Sequence, residues 1–166
     1  MTARHKTPDE LLARLAELGI AAETHRHARV FTVEESKALR GDLPGGHCKS
    51  LFLKDKKDAL WLVVALEDRA VDLKALRHKI GAQTLSFGKP DLMRAVLGVE
   101  PGSVTPFALV NETAAAVTIV LDQAMMSLEL LNYHPLSNDM TTAIRPADLI
   151  RFLEAHGHAP RIVDLS

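Results

Sequence analysis

The chain has 166 residues, 47% of them hydrophobic and 25% charged, and carries a formal net charge of −1. That make-up is a soluble globular one, long enough for a full hydrophobic core, so residues 1–166 are read as a single domain. The near-neutral charge excludes a general DNA coater and confines any nucleic-acid contact to a few local lysines and arginines.

Thr7-Pro-Asp-Glu10 opens a first helix with a capping box, Leu11, Leu12, Leu15 and Leu18 form its apolar stripe, and Gly19 ends it. Ala22 to His27 reads as a strand, and Thr32 to Glu35 repeats the capping-box pattern for a short helix through Leu39. After a turn-rich loop over Gly41 to Gly46 comes an almost wholly apolar strand, His47 to Lys54. Lys56-Lys-Asp58 turns it back into a second apolar strand, Ala59 to Leu66, as a hairpin. Asp72 to Ile80 is a predicted helix, Leu85 to Phe87 a short strand, and Pro90 to Leu97 a helix closed by Gly98. Phe107 to Val110, Val117 to Leu121, Ser127 to Leu131 and Thr141 to Ile144 are predicted strands, and Pro146 to Glu154 a last helix. Several strands are joined too tightly for parallel crossovers, so the expected fold class is α/β (mixed), a mixed sheet with helices packed around it.

No apolar run reaches membrane-span length, and the polar start Met1 to Pro8 has no apolar signal segment. A single cysteine, Cys48, excludes an internal disulfide framework and fits a reducing, cytoplasmic compartment. No Gly-rich turn has the spacing of a phosphate loop, and the eight histidines come with no thiolate pair and no HExxH. His25 and His27 share a strand face without a convincing third ligand, so neither metal nor cofactor is expected.

Three places could carry chemistry. Lys49 shares a strand face with Leu51 and Leu53, while Cys48, Ser50 and Phe52 point the other way. An ammonium on an apolar face is costly unless it is paired or has a task; a lysine that snorkels to solvent is an equal reading of the pattern alone. Gly102-Ser-Val-Thr-Pro106 offers close backbone approach and N–H groups for a carbonyl or oxyanion, or is an ordinary turn. Asn132 to Thr142 gathers polar side chains at the end of an apolar segment, with His134 as a hydrogen-bonding partner and Asn138 and Thr141 ordering the loop. Lys54 to Lys57 and Arg77-His-Lys79 could each contact phosphates, although solvated surface charge is the usual reading.

Read together, these stretches resemble the YbaK/prolyl-tRNA-synthetase insertion-domain superfamily, and most of all its free-standing ProXp-ala (PrdX) branch. The matching residues are His27 to Ser36, Gly41 to Lys54, Val71 to Lys74, Gly98 to Phe107, Asp122, and His134 to Asn138 with Thr141-Thr142. Their order and spacing cover nearly the whole chain.

The resemblance implies a central, barrel-like mixed sheet and trans-editing, the hydrolysis of alanine wrongly esterified to proline tRNA. It places the essential lysine at Lys49, the Gly-Ser-Val-Thr-Pro loop at Gly102 to Pro106 with Gly102 and Ser103 catalytic, and the histidine at His134. Phe31, Thr32, Ser50, Leu51, Val104, Thr105, Pro106 and Asn138 are the implied substrate contacts. The implied partners are the acceptor end of tRNA(Pro) and prolyl-tRNA synthetase; neither DNA nor a membrane is expected, and the chain is expected as a monomer or weak dimer. One departure stands out: Ser50 occupies a position where the family usually has Asn. Serine offers fewer hydrogen bonds, so the position contributes less here or the substrate preference has moved. Deacylation of a tRNA mischarged with cysteine, serine or threonine, a non-catalytic module that binds tRNA ends, and a hydrolase of other small esters are the competing readings.

Overall fold

The computed structural model describes residues 5–26 and 45–166. Helix α1 (Pro8–Glu17) starts at a complete capping box. The Thr7 hydroxyl accepts from the Glu10 N–H at 3.2 Å, and the Glu10 carboxylate accepts from the Thr7 N–H at 3.0 Å. Two of the orphan donors at the helix start are thereby satisfied, worth about 1 kcal/mol for such a cap. Leu11 and Leu15 are its buried residues.

The remaining elements are β1 (Glu23–Arg26), β2 (Gly46–Asp55), β3 (Leu60–Leu66), α2 (Leu73–Ile80), β4 (Leu85–Phe87), α3 (Pro90–Leu97), β5 (Thr118–Asp122), β6 (Leu131–Tyr133), β7 (Met140–Ile144), α4 (Pro146–Ala155) and β8 (Arg161–Val163). The strands form one mixed sheet in the order β1-β7-β6-β2-β3-β5-β8, with β4 added to β2. Strand β2 is the centre of this arrangement. One edge of it runs antiparallel to β3, from Cys48 opposite Leu66 to Lys54 opposite Leu60. Its other edge is parallel to β6 at Gly46 and His47 and antiparallel to β4 from Leu53 to Asp55. Between those two pairings, over Cys48 to Leu51, no described strand lies beside it.

The β2–β3 turn is held by Asp55, whose carboxylate accepts from the Lys57 and Ala59 N–H groups at 2.9 and 3.0 Å. Apolar residues then divide by strand alternation into two cores. Phe52, Leu62 and Val64 pack with Leu97, Phe107, Leu149 and Phe152 on one face. Leu53, Val63 and Ala65 pack with Leu76, Ile80 and Leu85 on the other, beneath α2. Asp72 caps α2 by accepting from the Lys74 N–H.

Two predicted strands are corrected. Pro106–Val110 is a 3-10 helix whose five residues are all buried, started by the Thr105 hydroxyl accepting from the Phe107 N–H. Gln123–Ser127 is likewise a 3-10 helix, capped by Asp122, so the strand expected over Ser127 to Leu131 begins only at Leu131. Strand β8, parallel to β5, was not anticipated. The helix expected from Thr32 to Leu39 lies outside the described residues.

Candidate active site

Alternation along β2 decides what each face can do. Cys48 and Ser50 turn toward a small hollow of about 50 Å³, which His47 also lines. Its other walls are Val104, Asn132, Tyr133, His134 and Thr141. The pairing of β6 with both β2 and β7 brings these distant residues together. Asn132 helps hold the join, its side-chain amide donating to the Gly46 carbonyl at 3.2 Å.

His134 follows β6 directly, and its Nδ1 lies 2.9 Å from the Met140 carbonyl. A carbonyl only accepts, so Nδ1 carries the proton, and in the neutral ring Nε2 is then the accepting nitrogen. That tautomer is the one required of a group that takes a hydrogen bond from water or a hydroxyl. Cys48 differs. Burial pushes its thiol up to about 11, so it is no nucleophile near neutral pH. Burial likewise raises the Tyr133 phenol, whose hydroxyl lies 3.1 Å from the Met125 sulfur.

The Gly102 loop approaches from the side. Gly102 has φ +93°, a conformation that favours glycine, and a side chain there would meet Asn138. The Ser103 N–H closes the turn onto the Glu100 carbonyl at 2.9 Å. Of this loop Val104 reaches the hollow; Ser103, Thr105 and Pro106 are buried behind it and fix its path.

Lys49 lies elsewhere. It is half-buried, and its ammonium donates to the Arg69 carbonyl rather than lining the hollow. Arg69 in turn holds Asp122 through an Nε–Oδ2 contact of 2.5 Å. Asp122 is fully buried, and its other oxygen takes the Ala124 N–H at 3.3 Å. The lysine is thus tied to the end of β5 through a buried ion pair. Leu51, on the same face, packs against the α2 core.

Of the residues singled out from the sequence, the structure gathers Ser50, Val104 and His134 in one hollow and sets Asn138 against Gly102. Phe31 and Thr32 lie outside the described residues. Asn132, Tyr133 and Thr141, from the polar stretch Asn132 to Thr142, also line the hollow, and His47 joins it without having been singled out. Arg69 was missed altogether, because nothing local marks a partner 53 residues away.

An aminoacyl-tRNA editing domain model matches residues 27–152. The chain belongs to this family. The editing domain is 40% identical over 156 residues to prolyl-tRNA synthetase associated domain-containing protein 1 of Danio rerio, covering 93% of this chain and 85% of that one. It is 33% identical over 156 residues to the prolyl-tRNA editing protein ProX of Acetoanaerobium sticklandii, covering 93% and 95%. A crystal structure described as that of a candidate trans-editing enzyme for prolyl tRNA synthetase superposes with a TM-score of 0.72 at 17% identity, covering 98% of this chain and all of that one. The mixed α/β fold expected from the sequence is therefore the fold found. Among the described residues no helix is long and apolar enough to cross a membrane.

Proposed function

We propose that this editing domain is a cytoplasmic trans-editing deacylase that removes alanine from mischarged proline tRNA by water attack on the aminoacyl ester. The observation that carries the reading is the small hollow that unites Ser50, Val104 and His134. At about 50 Å³ it has room for a few water-sized groups, one water needing roughly 10–15 Å³ of such space. A methyl side chain fits such a space, and a proline ring is rejected by bulk.

An aminoacyl ester is already activated, so the protein has to position water and stabilise the developing charge rather than supply a nucleophile. His134, accepting at Nε2, orients the water or the ribose hydroxyl that assists it. Gly102 and Ser103 shape the loop that carries Val104 into the hollow, and Thr105, Pro106 and Asn138 brace it. Lys49 commits one of its three donors to the Arg69 carbonyl; the other two take a phosphate or ribose oxygen of the tRNA 3′ end. Phe31, Thr32 and Leu51 are proposed as further substrate contacts. Prolyl-tRNA synthetase is the natural source of the mischarged tRNA and the proposed partner.

The test is a deacylation panel of proline tRNA carrying alanine, cysteine, serine, threonine or proline. Fastest loss of alanine with proline spared is the expected outcome. Preference for another small residue would move the substrate and leave the chemistry. Tight binding of the tRNA without ester loss would replace the enzyme with a tRNA-end-binding module.

A further inference from the structure

On α2, Leu73, Leu76 and Ile80 face the core, which turns Lys74, Arg77 and His78 outward along the i, i+3, i+4 stripe. These three, with Leu73, Thr84 and Leu85, line a hollow of about 340 Å³ that has no carboxylate in its wall. The nearest acid on the helix, Asp72, is engaged in capping it. Arg77 directs its Nε toward the Ala82 carbonyl at 3.5 Å and lines this hollow.

Beside this hollow runs β4. Leu85 is buried against α2, and Phe87, two residues on and therefore on the same face, is 61% exposed. Most of that ring is open to a partner. Phe87 pairs with Leu53 on β2 and shares its face, whereas Ser50, three residues or about 10 Å along the strand, points to the other face; β4, paired only with β2 among the described strands, is the edge between the two. Strand β4 is thus the rim between the α2 face and the interval of β2 that opens on the ester hollow.

We propose that the α2–β4 face is a docking surface for a single-stranded RNA segment. Phosphates lie on Lys74 and Arg77, a base stacks on Phe87, and the strand crosses the β4 rim toward Ser50. Two permanent cations beside an exposed aromatic ring, with no acid between them, match a polyanion carrying stacked bases. The proposal rests on the editing reading for the identity of the RNA, the 3′ end of the substrate tRNA.

The test is binding of uncharged proline tRNA to the full chain across a salt series, with Lys74→Ala/Arg77→Ala and Phe87→Ala compared to wild type. All three residues are at least partly exposed, and thermal melts check that the variants fold. Loss of two phosphate contacts is expected to lower affinity about tenfold and flatten the slope of log K against log salt by about 1.4. Phe87→Ala is expected to lose about tenfold with the slope unchanged. Affinities and slopes equal to wild type overturn the docking surface, as does a loss confined to binding of prolyl-tRNA synthetase. A wild type that binds tRNA through this face yet spares every ester defeats the deacylase reading and not this one.

Discussion

On one face of β2, Cys48 and Ser50 look into a hollow scaled to a small side chain; on the other, one residue away, Lys49 is fastened to Arg69 and through it to buried Asp122. The first face is closed by loops and His134, the second by an ion pair and a basic helix. A single strand therefore lines a small hollow with one set of side chains and holds a fixed cation with the next, kept apart by the sheet itself.

The largest expected effect tests that division. Lys49→Ala should lower kcat/KM for Ala-tRNA(Pro) by about a hundredfold or more, whereas Ser50→Ala should cost less than tenfold. Equal losses would erase the distinction between the faces, and an unchanged rate for Lys49→Ala would remove the lysine from the mechanism. Next comes His134→Asn, which keeps a donor for the Met140 carbonyl and lacks the accepting ring nitrogen. A loss of about a hundredfold in kcat with little change in melting temperature is expected. Activity near wild type would assign His134 to loop support alone.

The third effect is on stability. Asp122→Ala leaves the Arg69 guanidinium without its buried partner, at a cost of about 3 kcal/mol. For a chain of this size that lowers Tm by roughly 6–12 °C in a thermal melt. A melt that does not move would show that the Lys49 anchor stands without the ion pair.

The smallest effect is one of pH. Burial holds both His156 and His158 below the ordinary histidine value. A folded state that resists protonation binds fewer protons than the unfolded chain, so stability is full above pH ~6.5 and falls as pH drops below it. Differential scanning from pH 7.5 to 5 should show Tm falling, and His158→Gln should flatten the fall; an identical slope in the variant would exclude His158 as a source.

How much of this was legible in the sequence follows from what is local. The opposite facing of Lys49 and Ser50 was readable, since alternation needs only a strand. So were the cap at Thr7 and the closing Gly98, each a signal within four residues. The stretch Pro106–Val110 was misread because five consecutive buried residues carry neither period, and only the Pro106 start and the Thr105 cap hint at a helical turn. Strand β8 is three residues long and leaned on β5 for its existence. In the site, the order of the motifs pointed to Val104 and His134 converging. The sequence held no sign that the amine of Lys49 would meet the Arg69 carbonyl, because a backbone acceptor has no residue type to recognise.

The way β2 is shared between ladders also sets a timetable. Its hold on β6 spans 86 residues at the Asn132–Gly46 bond, and the Thr24–Thr142 contact joins positions 118 apart. Such distant pairings carry a high loop-closure cost and close slowly compared with the β2–β3 hairpin. During synthesis the hairpin and α2 can assemble while the C-terminal third is still within the ribosome. The walls made by Asn132, His134 and Thr141 arrive only afterwards, so in a nascent chain the basic face of α2 is present before the hollow beside Ser50 is closed.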